Sequence, residues 1–121
     1  MRRILVADDS PVIRMLIRAT LEPLGYRILD AADGDAAWAF LQREQFDAAI
    51  LDVTMPGRGG FELLRLIRAH ATLGALPVIL VSGYSGAQDV RDGLAAGADR
   101  YLTKPFQTAE LCEVVRLVLN E

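Results

Sequence analysis

The sequence predicts an α/β fold, a doubly wound sandwich around a five-stranded parallel sheet. Five short β-branched runs alternate strictly with five stretches of helical periodicity. Such alternation implies parallel strands joined by right-handed crossovers. Three of the runs, ILVA, AAIL and VILV, are continuously apolar, as suits strands covered on both faces. The 121 residues fit one domain, 1–121, and can bury a core without disulfides.

The elements follow in order. The first strand is Arg3–Ala7. Helix one opens at Pro11, with Ser10 as its cap, and runs to Leu24, where Gly25 stops it. Strand two covers Tyr26–Ala31. Helix two covers Gly34–Glu44 and turns Ala37, Trp38 and Leu41 inward. Strand three is Asp47–Leu51, and helix three is Gly60–Ala69, with Leu63, Leu64 and Ile67 as its stripe. Strand four is Pro77–Val81, and helix four is Ala87–Ala96, ended by Gly97. Strand five is Arg100–Thr103. Helix five, Thr108–Asn120, faces Leu111, Val114, Val115 and Val118 inward.

Composition narrows the class. Apolar residues make up 52% and charged residues 24%, the balance of a soluble globular chain. The apolar runs are too short and interrupted to span a bilayer, so no membrane association is expected. The opening MRRILVADD reaches acids at once and lacks a small-residue cleavage site, so it reads as a strand and not a signal peptide. The lone Cys112 excludes an internal disulfide, fits a cytoplasmic location and is expected to be an inert thiol. A net charge of -3 argues against direct nucleic-acid binding by this domain. No repeat or linker interrupts the chain, and no output domain is visible after helix five.

Ligands of open parallel sheets bind beyond the carboxyl ends of the strands. Asp8 and Asp9 follow strand one, Asp52 follows strand three, Ser82 strand four and Lys104 strand five. Asp33 follows strand two, with Asp30 inside it. Carboxylates gathered in one crevice repel each other, and a divalent cation relieves the repulsion. Few, hard oxygen ligands suit Mg²⁺, which also accepts a phosphate oxygen. Lys104 adds a point charge suited to phosphate. A carboxylate beside a metal can act as nucleophile and form an aspartyl-phosphate, with metal and Lys104 neutralising the transferring group. Asp47 lies at the opposite end of strand three and reads as structural. His70 reads as a surface residue at the end of helix three, and Trp38 as core-facing or at a surface edge.

These residues carry a resemblance. The DD of ILVADDSPVIR, the D of AAILDVTMPGRGGFELL, the S of VILVSGYS and the K of GADRYLTKPF are similar to the four motifs of response-regulator receiver domains, in order and over nearly the whole chain. The resemblance implies a flavodoxin-like fold with strand order 2-1-3-4-5, which sets Asp8, Asp9 and Asp52 at the switch point between strands one and three. It implies that Asp52 is the phosphoacceptor, and that Asp52, Lys104 and Ser82 carry the chemistry. Mg²⁺ or Mn²⁺ would be held by Asp9 directly, by Asp8 through water, by Asp52 and by the Thr54 carbonyl. Ser82 and Tyr101 would be the switch pair, reporting to the face of helix four, strand five and helix five. Thr54, Gly83 and Tyr84 would tune dephosphorylation. The Lys104–Pro105 peptide is expected to be cis. The implied donor is a histidine kinase or a histidine phosphotransfer protein, and the downstream target is a protein that the sequence does not name.

Two positions depart from the family pattern. Arg58-Gly59-Gly60 replaces the acid-glycine pair common after MPG, a change of loop. Arg100 stands where dimerising relatives often carry an acid before the aromatic, which argues for a monomer or weak dimer. A switch is expected, not an enzyme. A phosphohydrolase with an aspartyl-phosphate needs a second acid where Thr54 stands. A flavodoxin-type electron carrier needs a hydroxyl- and glycine-rich loop where Asp8 and Asp9 stand, and GxGxxG is missing for a dinucleotide.

Overall fold

A computed structural model describes residues 1–84 and 86–121. Ser85, the last residue of the VILVSGYS run, lies outside them. The elements are β1 (Arg3–Ala7), α1 (Pro11–Leu21), β2 (Arg27–Ala31), α2 (Gly34–Arg43), β3 (Ala48–Asp52), α3 (Gly60–Ala69), β4 (Val78–Ser82), α4 (Ala87–Ala95), β5 (Arg100–Thr103) and α5 (Thr108–Leu119). All strand pairs are parallel, and the sheet order is β2-β1-β3-β4-β5. The predicted fold class and strand order therefore hold.

The apolar runs explain the centre. β3 and β4 are buried along their whole length, and β1 from Ile4 onward. Alternate side chains feed two cores. Ile4, Val6, Ile50 and Ile79 meet Ile17 and Leu21 of α1 and Leu111, Val115 and Leu119 of α5. Leu5, Leu51 and Leu80 meet Ala37 and Leu41 of α2 and Leu63, Leu64 and Ile67 of α3. Each fully buried Leu or Ile contributes about 1.5–3 kcal/mol of transfer free energy. α4 joins this second face weakly: Gly93 is its one buried residue among those described.

Several boundaries differ from expectation. Helix one ends at Leu21, and Glu22–Leu24 tightens into a 3-10 turn closed by Gly25. Pro23 has no N–H for the α-helical ladder. Tyr26, Asp47 and Pro77 precede their strands instead of starting them. Asp47 takes the Arg3 N–H on its side chain at 2.7 Å, the structural role expected of it. Asp52 and Ser82 are the last residues of β3 and β4 and not the first of the following loops. Glu44, Ala96 and Asn120 cap their helices from outside. In α5, Leu119 is more buried than Val114 and Val118, which only flank the core. Trp38 is half-buried, edge-on to the His70 ring with centroids 6.0 Å apart, and His70 caps α3.

The lower end of the sheet is tied by Arg68. Its guanidinium donates to the Leu76 carbonyl at 2.6 Å, to the Gly97 carbonyl at 2.7 Å from Nη2 and 3.0 Å from Nε, and pairs with Asp99 at 3.1 Å. One side chain thus joins the loops after α3 and α4. No helix among the described residues is long and apolar enough to cross a membrane.

Candidate functional site

At the upper end of the sheet, the ends of β1, β3, β4 and β5 deliver polar side chains to one place. Ladder pairing aligns Asp52 with Val81, and Ser82 with Thr103. Lys104 follows directly, and its N–H donates to the Ser82 carbonyl at 2.7 Å. The Lys104–Pro105 peptide is cis, as expected. Oxygens of Asp8, Asp9 and Asp52 lie within 4.8 Å of one another. Lys104 Nζ sits 2.8 Å from Asp8 Oδ2 and 3.3 Å from Asp52 Oδ2. The cluster anticipated from the sequence is therefore assembled in space.

The three acids stand in different surroundings. Asp8 is buried and engaged: Oδ1 accepts the Ser10 N–H at 2.9 Å, and Oδ2 faces Lys104. Its carbonyl also accepts Arg14 Nη1 at 2.7 Å. Asp52 is buried, with the Thr54 N–H 3.3 Å from Oδ1. Asp9 is exposed, and among the described residues no side chain pairs with its carboxylate. Burial pushes the Asp52 carboxyl up to about 6, and the Asp8 charge pushes the same way. Lys104 and the Thr54 N–H pull against them. Burial opposes the Lys104 ammonium, but the hydrogen bond to Asp8 and the charges of both acids raise its pKa on balance.

The loops are shaped around this cluster. Gly60 opens α3 with its N–H on the Val53 carbonyl at 3.1 Å. A Cβ there would stand 2.6 Å from the Asp52 carbonyl oxygen, so a side chain would push α3 off the acceptor strand. Arg58, the departure noted in this loop, pairs with Asp35 of α2 at 3.2 Å. Ser82 Oγ is buried and accepts the Tyr84 N–H at 2.9 Å, while the Tyr84 carbonyl accepts the Tyr101 hydroxyl at 2.8 Å. Tyr84 itself is 60% exposed, Gly83 and Thr54 are also at the surface, and Tyr101 is half-buried. Asp33 caps α2 through the Ala36 N–H at 2.8 Å, and Asp30 pairs with Arg18 at 3.2 Å, so neither belongs to the cluster. Arg14, which holds the Asp8 carbonyl, carries no signal in the sequence. One turn into α1 beyond Ser10, it reads as an ordinary solvent charge.

A donor set of three close carboxylates, one of them exposed, fits a hard divalent cation better than a soft one. Thr54, not an acid, stands two residues after Asp52.

Known proteins agree with this geometry. The family model described as "Response regulator receiver domain" matches residues 4–116. Protein PilH of Pseudomonas aeruginosa is 36% identical over 119 residues, which is 98% of this chain and 98% of PilH. The chemotaxis response regulator CheY4 of Vibrio cholerae superposes with a TM-score of 0.93 at 34% identity, covering 98% of this chain and 99% of that one. The receiver domain of the sensor histidine kinase PA1611 of Pseudomonas aeruginosa PAO1 superposes with a TM-score of 0.90 at 33% identity, covering 99% and 98%. That structure holds a magnesium ion coordinated in the active site cleft. Of three other curated regulators the chain spans only 44%, 13% and 57% of the length. With the sheet order and the acid cluster, these matches place the chain in the response regulator receiver domain family of two-component signalling.

Proposed function

We propose that this domain is a phosphorylation-dependent switch in which Asp52 accepts a phosphoryl group from a phosphohistidine donor. The observation that carries the reading is Lys104 Nζ held between Asp8 and Asp52, at 2.8 and 3.3 Å, beside the exposed Asp9. The donor would be a histidine kinase or a histidine phosphotransfer protein. Mg²⁺ or Mn²⁺ would be held by Asp9, Asp52 and the Thr54 carbonyl, and by Asp8 through water. Bound there, the cation supplies the charge neutralisation that lets a phosphoryl dianion approach three carboxylates. Asp52 attacks phosphorus as the ionised carboxylate and the bond to the imidazole nitrogen breaks in line. Lys104 turns its ammonium to the incoming oxygens, while Asp8 keeps it aimed. Ser82 has a hydroxyl proton to give, because its oxygen already accepts from Tyr84.

Acetyl phosphate with Mg²⁺ should add one phosphoryl mass to the protein, removable by hydroxylamine as an acyl phosphate is. An absent increment, or one that resists hydroxylamine, overturns the reading.

The read-out face is α4, β5 and α5. A phosphoryl oxygen draws the Ser82 hydroxyl inward, loosening the Tyr84 peptide that also holds Tyr101. Beryllofluoride should therefore move amide signals across residues 83–104. Ser82→Ala should shrink that response, and an unaltered response would mean another route.

Self-hydrolysis needs a water in line with the phosphorus–Asp52 bond, and Thr54 and Tyr84 flank that path. Thr54 is too short to orient a water, and Tyr84 can fold over the phosphoryl group. The aspartyl-phosphate should thus outlive that of fast relatives. Both Tyr84→Ala and Thr54→Asn should speed its decay, measured by loss of the phosphoryl mass. A slower Tyr84→Ala would show that the ring assists the water.

A further inference from the structure

We infer that Gly93 is the positioning residue for read-out: its missing side chain forms the slot in α4 that holds the Tyr101 ring, so helix and ring move as one. The inference rests on the proposed switching role of Tyr101 and adds the element that receives it.

A Cβ on Gly93 would stand 2.7 Å from Tyr101 Cδ2, 3.0 Å from Tyr101 Cε2 and 3.2 Å from Leu80 Cδ1. The Cδ2–Cε2 side of the ring therefore lies close against bare helix backbone. Its far end is held as well, since the hydroxyl donates to the Tyr84 carbonyl at 2.8 Å. Leu80 and Tyr101 are register partners on adjacent strands, so the slot is walled by β4, β5 and α4 together. Gly93 needs no unusual backbone there. It has ordinary helical geometry in the last turn of α4, where alanine is the better helix former. Space, and not conformation, is what glycine supplies. The contact is also central to how α4 docks, because Gly93 is the one buried residue of that helix among those described. A chain of contacts follows: Ser82 Oγ, the Tyr84 peptide, the Tyr101 hydroxyl, the Tyr101 ring and Gly93.

The bland alternative is that Gly93 merely lets α4 approach Leu80. A double-mutant cycle separates the two. Wild type, Gly93→Ala, Tyr101→Ala and the double variant are compared in denaturation and in the amide response to beryllofluoride with Mg²⁺. The inference expects Gly93→Ala to lower the denaturation midpoint beside Tyr101 and to raise it once the ring is gone. It also expects Gly93→Ala to lose more than half of the wild-type shifts in residues 86–98, while Asp9 and Thr54 amides still respond. A full α4 response in Gly93→Ala overturns it, as does an equal loss of stability in both backgrounds. If Gly93→Ala fails to fold, recovery in the double variant supports it, and failure there too overturns it. Wild-type amides at Asp9 and Thr54 that ignore beryllofluoride would instead strike down the phosphoacceptor reading, and this inference with it.

Discussion

Asp52→Asn is expected to take up no phosphoryl group and yet to be the more stable protein. The first half follows from chemistry, because an amide oxygen is no nucleophile toward phosphorus at neutral pH. The second half follows from electrostatics. Burial first, and the Asp8 charge second, raise the Asp52 carboxyl from 3.8 to about 6 in the folded state. Between those values the native state binds a proton that the unfolded chain does not. Stability then falls as pH rises through that window, and the penalty is complete above it. About two pH units correspond to roughly 3 kcal/mol. Asparagine keeps the shape and removes the charge, at the cost of a weaker contact with Lys104. A net gain of about 2 kcal/mol at pH 8 without divalent metal is the result, a melting point higher by about 5 °C or more. At pH 4, close to the unfolded value, the difference should shrink to about 0.5 kcal/mol or less. Thermal denaturation of both proteins across pH 4–8 in chelator checks this, and equal stability at pH 8 would refute it.

Asp9→Ala is expected to weaken Mg²⁺ binding at least about tenfold, or about 1.4 kcal/mol. The reasoning comes from what each acid already holds. Both oxygens of Asp8 are engaged, one by the Ser10 N–H and one by Lys104. Asp52 has Thr54 and Lys104 as partners. Asp9 alone of the three offers an exposed carboxylate without a side-chain partner among the described residues. A cation can therefore take Asp9 without breaking anything, which suits direct ligation, whereas Asp8 suits the support of a bound water. Calorimetry at pH 8, above the raised Asp52 value, avoids a competing proton. Unchanged affinity in Asp9→Ala would sink the assignment. Below about pH 6 the wild type should bind less tightly, releasing a proton as the metal enters.

Much of this was legible in the sequence, because the deciding signals are local. Continuous apolar runs mark β1, β3 and β4, since a strand covered on both faces has no polar side to show. Ser10 and Pro11 mark the start of α1 through one cap bond and one fixed torsion. The acid cluster followed from strand ends alone, because parallel strands present them all at one edge. What was not legible depends on distant partners. Asp52 and Ser82 look like loop residues by type, yet the ladder to β4 and β5 carries them into the strands. Pro77 looks like a strand start beside VILV, but it only lends its carbonyl to the Ala49 N–H. The different parts of Asp8 and Asp9 came only with the family resemblance, because the physical ground for them, Lys104 on Asp8, lies far along the chain. The Gly93 slot needed the Tyr101 ring, which no spacing rule connects to a helix glycine.

Arg68 pins the far end of α4. Two guanidinium nitrogens grip the Gly97 carbonyl just past the helix, while Gly86 at the other end offers no side-chain cap. A rod pinned at one end swings, and its travel grows with distance from the pin. If the proposed switch moves Tyr101, its push on Gly93 falls near the pin, and the Gly86 end of the helix would travel further. On that reading the largest sweep would fall at the first turn of α4, and the smallest at Gly97. A partner reading this domain gains most by gripping the start of that helix.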